Sequence, residues 1–203
     1  MMGASRNYVI TGGPCTGKTA VINALRRDGF VIVPEAARLV KWRNKRLGGP
    51  LPENNFEAFE DDVMQMQEKI DILRPGVVRF HDRAYCDDIA YYDFNRRPPS
   101  PFLMSIAKYY RFDKIFLLSQ LGFYKQDKYR PETKEEADLL HRLTREAYIS
   151  QGYEIIEIPA VEVWERIRII KDYIHDDLDM LGLAWGVCES NLKRLKNRHE
   201  GAR

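Results

Sequence analysis

Short apolar runs alternate along the chain with longer segments patterned at helical spacing. The runs are YVIT (8–11), FVIV (30–33), VVRF (77–80), KIFLL (114–118) and YEIIEI (153–158). Four to six residues rich in Val, Ile and Phe suit buried strands. The intervening segments are long enough for crossover helices. Strand–helix alternation predicts an α/β fold with a mainly parallel sheet and helices on both faces.

The helical segments carry boundary signals. Asn54 followed by Glu57 reads as a capping pair. Phe56, Phe59, Val63, Met66, Ile70 and Leu73 then recur at three- and four-residue steps and form one apolar face. Pro75-Gly76 ends that helix. Pro131 suits a first helical position, with a stripe of Leu139, Leu143 and Ala147 running to about Gly152. RRPPSP (96–101) is a surface loop. Tyr85, Tyr91, Tyr92 and Phe94 are read as core rather than as a base-stacking platform. Arg79 and His81 fit least well, because both would face one side of a central strand.

The pattern gives one domain over 1–178 and a short, basic, helical extension over 179–203. Length and composition agree with this. A chain of 203 residues buries enough surface to fold without disulfides or structural metals. The formal net charge is +2, which counts against a dedicated nucleic-acid binder. No apolar run is long enough to span a membrane, and MMGASRNYVI lacks a signal peptide's apolar centre. Cys15, Cys86 and Cys188 read as free thiols in a reducing cytoplasm. The four histidines are scattered and form no zinc-type spacing.

Candidate chemistry enters at TGGPCTGKTA (11–20). Gly12-x-x-x-x-Gly17-Lys18-Thr19 is a phosphate-binding-loop (Walker A) pattern, placed between a strand and a helix as its mechanism requires. Gly12, Gly13 and Gly17 let the backbone of Pro14, Cys15 and Thr16 curve around an anion. The helix start, through Lys18, Thr19 and Ala20, adds its dipole. Lys18 would reach the β- and γ-phosphates, and Thr19 would offer its hydroxyl to Mg²⁺. With Gly at about 7% usage, four fixed positions arise by chance about once in a hundred such chains.

Three further stretches extend the site. Asp82, in VVRFHDR (77–83), would stand at the sheet edge beside the loop. There it could hold Mg²⁺ or take a proton from an attacking hydroxyl; the bland alternative is a cap on the next helix. No Asp-Glu pair ends this strand, which counts against a motor-type ATPase, and no NKxD follows a strand, which counts against a switch GTPase. Glu35 and Arg38, in VPEAARLVKW, share a helix face with Trp42. They could meet an acceptor hydroxyl and an anionic group, or simply pair with each other. Lys125, Lys128 and Arg130, in YKQDKYRPE, could form a basic lid over a triphosphate. Asp87 or Asp88 could face the acceptor.

TGGPCTGKT, VPEAAR, HDRAYCD, YKQDKYR…EEA and YEIIEIP occur in order. Together they resemble the small AAA-type P-loop proteins related to the ribosylnicotinamide kinase domain of the bacterial NAD regulator, over about residues 7–172. The resemblance implies a nucleoside-kinase-like sheet of order 2-3-1-4-5 and binding of ATP or GTP. Ala84 stands where that family often has Gly.

The expected activity is transfer of the γ-phosphoryl of ATP or GTP, with Mg²⁺, to a hydroxyl of a small nucleoside-like acceptor. Glu35 or Asp82 would activate the acceptor, with Arg83 and Arg130 supporting the transferring group. The alternatives are a slow NTPase acting as a nucleotide-dependent switch and a polynucleotide 5′-kinase, the latter weakened by the near-neutral charge. The expected partners are a nucleoside triphosphate and a small molecule, with neither membrane nor nucleic acid.

Overall fold

The computed structural model describes residues 5–73, 78–122 and 133–180. Five strands, β1 (Arg6–Thr11), β2 (Val31–Val33), β3 (Val78–Asp82), β4 (Lys114–Leu118) and β5 (Ile155–Ile158), form one sheet. Its order is β2-β3-β1-β4-β5 and the strand pairs are parallel. This is the expected 2-3-1-4-5 arrangement. The helices are α1 (Lys18–Arg27), α2 (Ala36–Leu47), α3 (Phe56–Leu73), α4 (Tyr85–Phe94), α5 (Pro101–Tyr109), α6 (Lys134–Ser150) and α7 (Val163–Met180).

Alternation along β1 divides the core. Tyr8 and Ile10 pack on one side with Phe80, Phe116 and the apolar faces of α1 and α7. Val9 packs on the other with Ile115, Tyr85, Ile89, Leu103, Leu140 and Tyr148, from β4, α4, α5 and α6. A smaller cluster joins Val33 to α2 and α3 through Val40, Phe59, Val63 and Ile70. A strand with both sides covered needs a continuous apolar run, which explains why these strands are so legible. Tyr85 and Tyr92 are buried in the α4 face, so the aromatic patch is core.

Several boundaries differ from the sequence reading. The cap of α3 is Asn55, whose Oδ1 accepts from the amide of Ala58 at 3.2 Å. Asn54 instead closes the preceding turn by accepting from the amide of Leu51. Helix α6 starts at Lys134 behind a Thr133–Glu136 capping box; Pro131 lies outside the described residues. The buried stripe of α6 is Ala137, Leu140, Thr144, Ala147 and Tyr148, while Leu139 and Leu143 are half-buried. The proline-rich loop ends by capping a helix: Ser100 Oγ accepts from the amide of Leu103, and Pro101 follows at the first helical position. His81 is buried between Asn7 and the ring of Phe112. Burial, then Arg79, lowers its pKa to about 3, so it packs as a neutral imidazole. Pro75-Gly76 and residues 181–203, hence most of the expected extension, lie outside the described residues.

Candidate phosphotransfer site

The register brings the site together. Ile10 of β1 pairs with Asp82 of β3, and the amide of Arg83 donates to Ile10 O at 3.2 Å. The glycine-rich loop leaving β1 and the Asp82-Arg83 pair therefore emerge side by side at the C-terminal edge of the sheet, where open α/β folds bind ligands.

The loop is held by its carbonyls. Gly12 has φ 137° and a Cβ there would lie 2.8 Å from Leu118 O, so only glycine fits. Lys18 Nζ folds back onto Gly13 O at 2.7 Å, onto Gly12 O and onto Thr16 Oγ1. Thr16 Oγ1 donates to Gly13 O, and the amide of Leu121 donates to Cys15 O. The Gly13 amide is taken by His141 Nδ1 at 3.1 Å. Pro14 has no N–H to give. The Ala20 amide is spent within the helix, on Gly17 O. Cys15 takes φ 57° in this turn. Thr19 is exposed in the first turn of α1, where backbone amides lack partners within the helix. Burial, followed by the charge of Arg83, lowers the Lys18 ammonium to about 7, against the carboxylates of Asp82, Glu35 and Asp87.

On the neighbouring side, Glu35 is the N-cap residue of α2. Its Oε2 holds Arg38 at 2.7 Å and its Oε1 lies 3.2 Å from Arg83 Nε. The local Glu35–Arg38 pair therefore exists, but Glu35 also bridges to Arg83. Arg83 sits at φ 70°, a conformation costing a non-glycine residue about 1–2 kcal/mol. Ala84 is extended, at φ −156°. The left-handed position thus falls on Arg83, and no glycine is needed after it. Arg83 Nη1 pairs with Asp87 Oδ1 at 2.8 Å, and the guanidinium lies over Tyr91.

Asp87 is 1% exposed. Besides Arg83 it accepts from Thr11 Oγ1 at 2.6 Å, from the Tyr148 hydroxyl at 2.7 Å and from the Ala84 amide at 3.1 Å. Asp82 is not the cap of α4, because that position is Ala84. Asp82 is 5% exposed, and its Oδ1 is buried with no hydrogen-bond partner among the described residues. Burial, then the negative charge of Glu35, pushes its pKa up, against Lys18, Arg38 and Arg83. A buried acceptor without a donor is uncommon in native proteins, and it suits an added cation or proton. The hydroxyl of Thr19 and the carboxylate of Asp82 are oxygen donors of the hard type that Mg²⁺ prefers.

The structure thus unites Gly12–Ala20, Glu35, Arg38, Asp82, Arg83 and Asp87 at one edge. Lys125, Lys128 and Arg130 lie outside the described residues. Sequence reasoning missed His141, Tyr148 and Arg166, which reach the site from α6 and α7 through contacts that no local pattern announces.

A family model described as an AAA domain matches residues 7–166. The chain belongs to this AAA-domain family. That span contains the glycine-rich loop, PEAAR and the Asp82–Asp87 stretch, which carry the resemblance. No curated protein matches the chain. Among solved structures, thymidylate kinase from Candida albicans is similar with a TM-score of 0.63 at 12% identity, over 89% of this chain and 95% of that one. The NadR protein in complex with NR gives 0.64 at 15% identity, over 85% of this chain and 51% of that one. Deoxyadenosine kinase from M. mycoides, solved with dATP, gives 0.54 at 14% identity, over 84% and 99%. The AAA-domain chain therefore spans about half the NadR chain and nearly all of each kinase, and it has the P-loop nucleotide-kinase fold. No described helix is long and apolar enough to cross a membrane.

Proposed function

We propose that this AAA-domain protein is a kinase that moves the γ-phosphoryl of ATP or GTP onto a hydroxyl of a small nucleoside-like molecule. One observation carries the reading. A lysine-bearing phosphate loop stands beside Asp82, whose buried Oδ1 has no donor among the described residues. Backbone amides of residues 15–19 and Lys18 would hold the polyphosphate. Thr19 and Asp82 would hold Mg²⁺, which would supply neutralisation of phosphate charge.

Glu35 has both carboxylate oxygens engaged by arginines, which suits it to aiming Arg83 and Arg38 at the acceptor side. Asp82 is the better proton acceptor. As the acceptor oxygen bonds to phosphorus and the bond to the leaving β-phosphate oxygen breaks, the hydroxyl proton passes to Asp82. Arg83 steadies the charge on the moving group. Asp87, filled by four donors, positions Arg83. Lys125, Lys128 and Arg130 would close over the triphosphate.

The test is a transfer screen with γ-labelled ATP and GTP against a panel of nucleosides and related vitamins. Label on a small molecule supports the kinase. Label recovered only as inorganic phosphate supports the slow-hydrolysis switch and removes the kinase reading.

A further inference from the structure

Arg166 belongs to no motif, and the proposed transfer makes no use of it. It lies near the start of α7 and is 1% exposed. Nη1 donates to Thr16 O at 2.6 Å and Nε to Val161 O at 2.9 Å. Nη2 is buried with no hydrogen-bond partner among the described residues. A guanidinium at this depth is expensive to desolvate. Its geometry is specific: it joins the end of the phosphate loop to the segment after β5.

A trans peptide is planar, with C=O and N–H pointing in opposite directions. The described residues contain no cis peptide. A cation that draws Thr16 O towards α7 therefore turns the N–H of Gly17 the opposite way, away from α7. The amide of Leu121 does the same to Cys15 O, which turns the N–H of Thr16. The guanidinium sits close against this peptide: a Cβ at Gly17, where φ is 80°, would lie 3.3 Å from Nη1. Its own base is rigid. Ile167, Ile170 and Ile174 pack α7 against the sheet and α1. Lys171 meets Asp28, the C-cap of α1, in an ion pair whose two side chains are each 1% exposed. Because α1 begins at Lys18, α7 is fixed to the same element that the loop feeds.

The structure assigns Arg166 as the positioning residue that preorients the Thr16–Gly17 peptide for polyphosphate. This rests on reading the loop as a polyphosphate cradle. Holding an N–H in its bound orientation beforehand removes an ordering cost from binding. Binding and the Arg166–Thr16 contact must then strengthen each other.

The probe is inorganic tripolyphosphate with Mg²⁺, titrated calorimetrically at a temperature where melting curves show each variant folded. Arg166→Met should weaken tripolyphosphate binding roughly tenfold or more, the scale of one hydrogen bond to a charged group. Arg166→Lys, which keeps a cation and a donor, should recover part of the loss. A merely structural arginine would lower the melting temperature and leave the affinity of folded molecules unchanged. Folded Arg166→Met that binds as tightly as the parent overturns the assignment. A parent that fails to bind tripolyphosphate overturns the cradle reading itself, and this assignment with it. If neither variant folds, the parent decides: tripolyphosphate should slow hydrogen exchange at the Arg166 guanidinium, and unchanged exchange contradicts the assignment.

Discussion

At the N-terminal ends of the strands, Asp177 of α7 gathers the Tyr8 hydroxyl at 2.7 Å, Lys114 Nζ at 2.9 Å and Arg6 Nε at 3.0 Å. At the C-terminal ends, Asp87 of α4 gathers the Tyr148 hydroxyl, Thr11, Arg83 and a backbone amide. Each is a carboxylate drawing in a tyrosine and a cation, yet their surroundings differ. Both oxygens of Asp177 meet cations, and each cation has a second partner, Arg6 the carboxylate of Asp113 and Lys114 the ring of Tyr8. At the Asp87 end, by contrast, the buried Oδ1 of Asp82, next to Arg83, and Nη2 of Arg166, whose Nη1 meets the phosphate loop, have no hydrogen-bond partner among the described residues. Buried polar groups are normally satisfied. The first end closes the fold, whereas the second withholds stability at the place where a ligand would supply the missing partners.

The largest effect should come from the open end. Lys18→Ala should lower transfer by about 10²–10³-fold, the scale of removing one preorganised charge stabiliser, as read in the labelled-phosphate assay. Asp82→Asn should lower it by about 10²–10⁴-fold, as expected of a lost general base. The same substitution should raise the stability of the empty protein by on the order of 1 kcal/mol, read as a higher melting temperature. The sign follows from linkage. A carboxyl raised in the folded state gains stability as pH falls through its folded pKa towards the unfolded value of about 3.9, so its charge opposes folding at neutral pH.

Asp177→Asn should do the reverse. Transfer should hold within about twofold, while stability falls by about 2 kcal/mol, the scale of leaving the buried Tyr8 hydroxyl without its charged acceptor. Burial opposes the Asp177 charge, but hydrogen bonds from Lys114 and Tyr8 outweigh it and lower the carboxyl pKa. That stability is present above about pH 3.9 and is lost as pH falls through the lower folded value. Acid melts of the two variants should therefore diverge in opposite directions. Parallel behaviour would end the comparison.

A finer test concerns protons. With Lys18 near 7 in the empty loop, an incoming polyphosphate should restore its charge. Nucleotide binding at pH 8 should then take up protons, measured by calorimetry in buffers of different ionisation enthalpy. Binding with no proton uptake would contradict that account of Lys18. The smallest effect belongs to Trp42, which is 63% exposed: Trp42→Ala should shift stability by no more than about 0.5 kcal/mol in thermal melts.

Legibility tracked sequence distance. The phosphate loop could be read because strand, turn and helix signals sit within about a dozen residues, and the strands because both their faces are apolar. Strand order came from the family resemblance and not from periodicity. Asp82 was visible because it closes a strand. The donors that fill Asp87 were not, since Thr11 and Tyr148 lie 76 and 61 residues away. Arg166 is 150 residues from Thr16 and reads as one basic residue beside an apolar helix face. Local competition explains the smaller misses. Asn54 and Asn55 both offer a capping oxygen, and the turn takes the first while the helix takes the second.

The central claim is that the loop from Gly12 to Thr19 receives a nucleoside triphosphate beside Asp82. The most direct measurement follows the ¹⁵N amide signals of the parent and of Lys18→Ala during titration with magnesium and non-hydrolysable analogues of ATP and GTP. The account predicts saturable shifts at the amides of Gly17, Lys18 and Thr19 in the parent with one of the two analogues, weakened at least tenfold in Lys18→Ala. Saturating concentrations of both that leave these amides unmoved, or that move them equally in the two proteins, would contradict it.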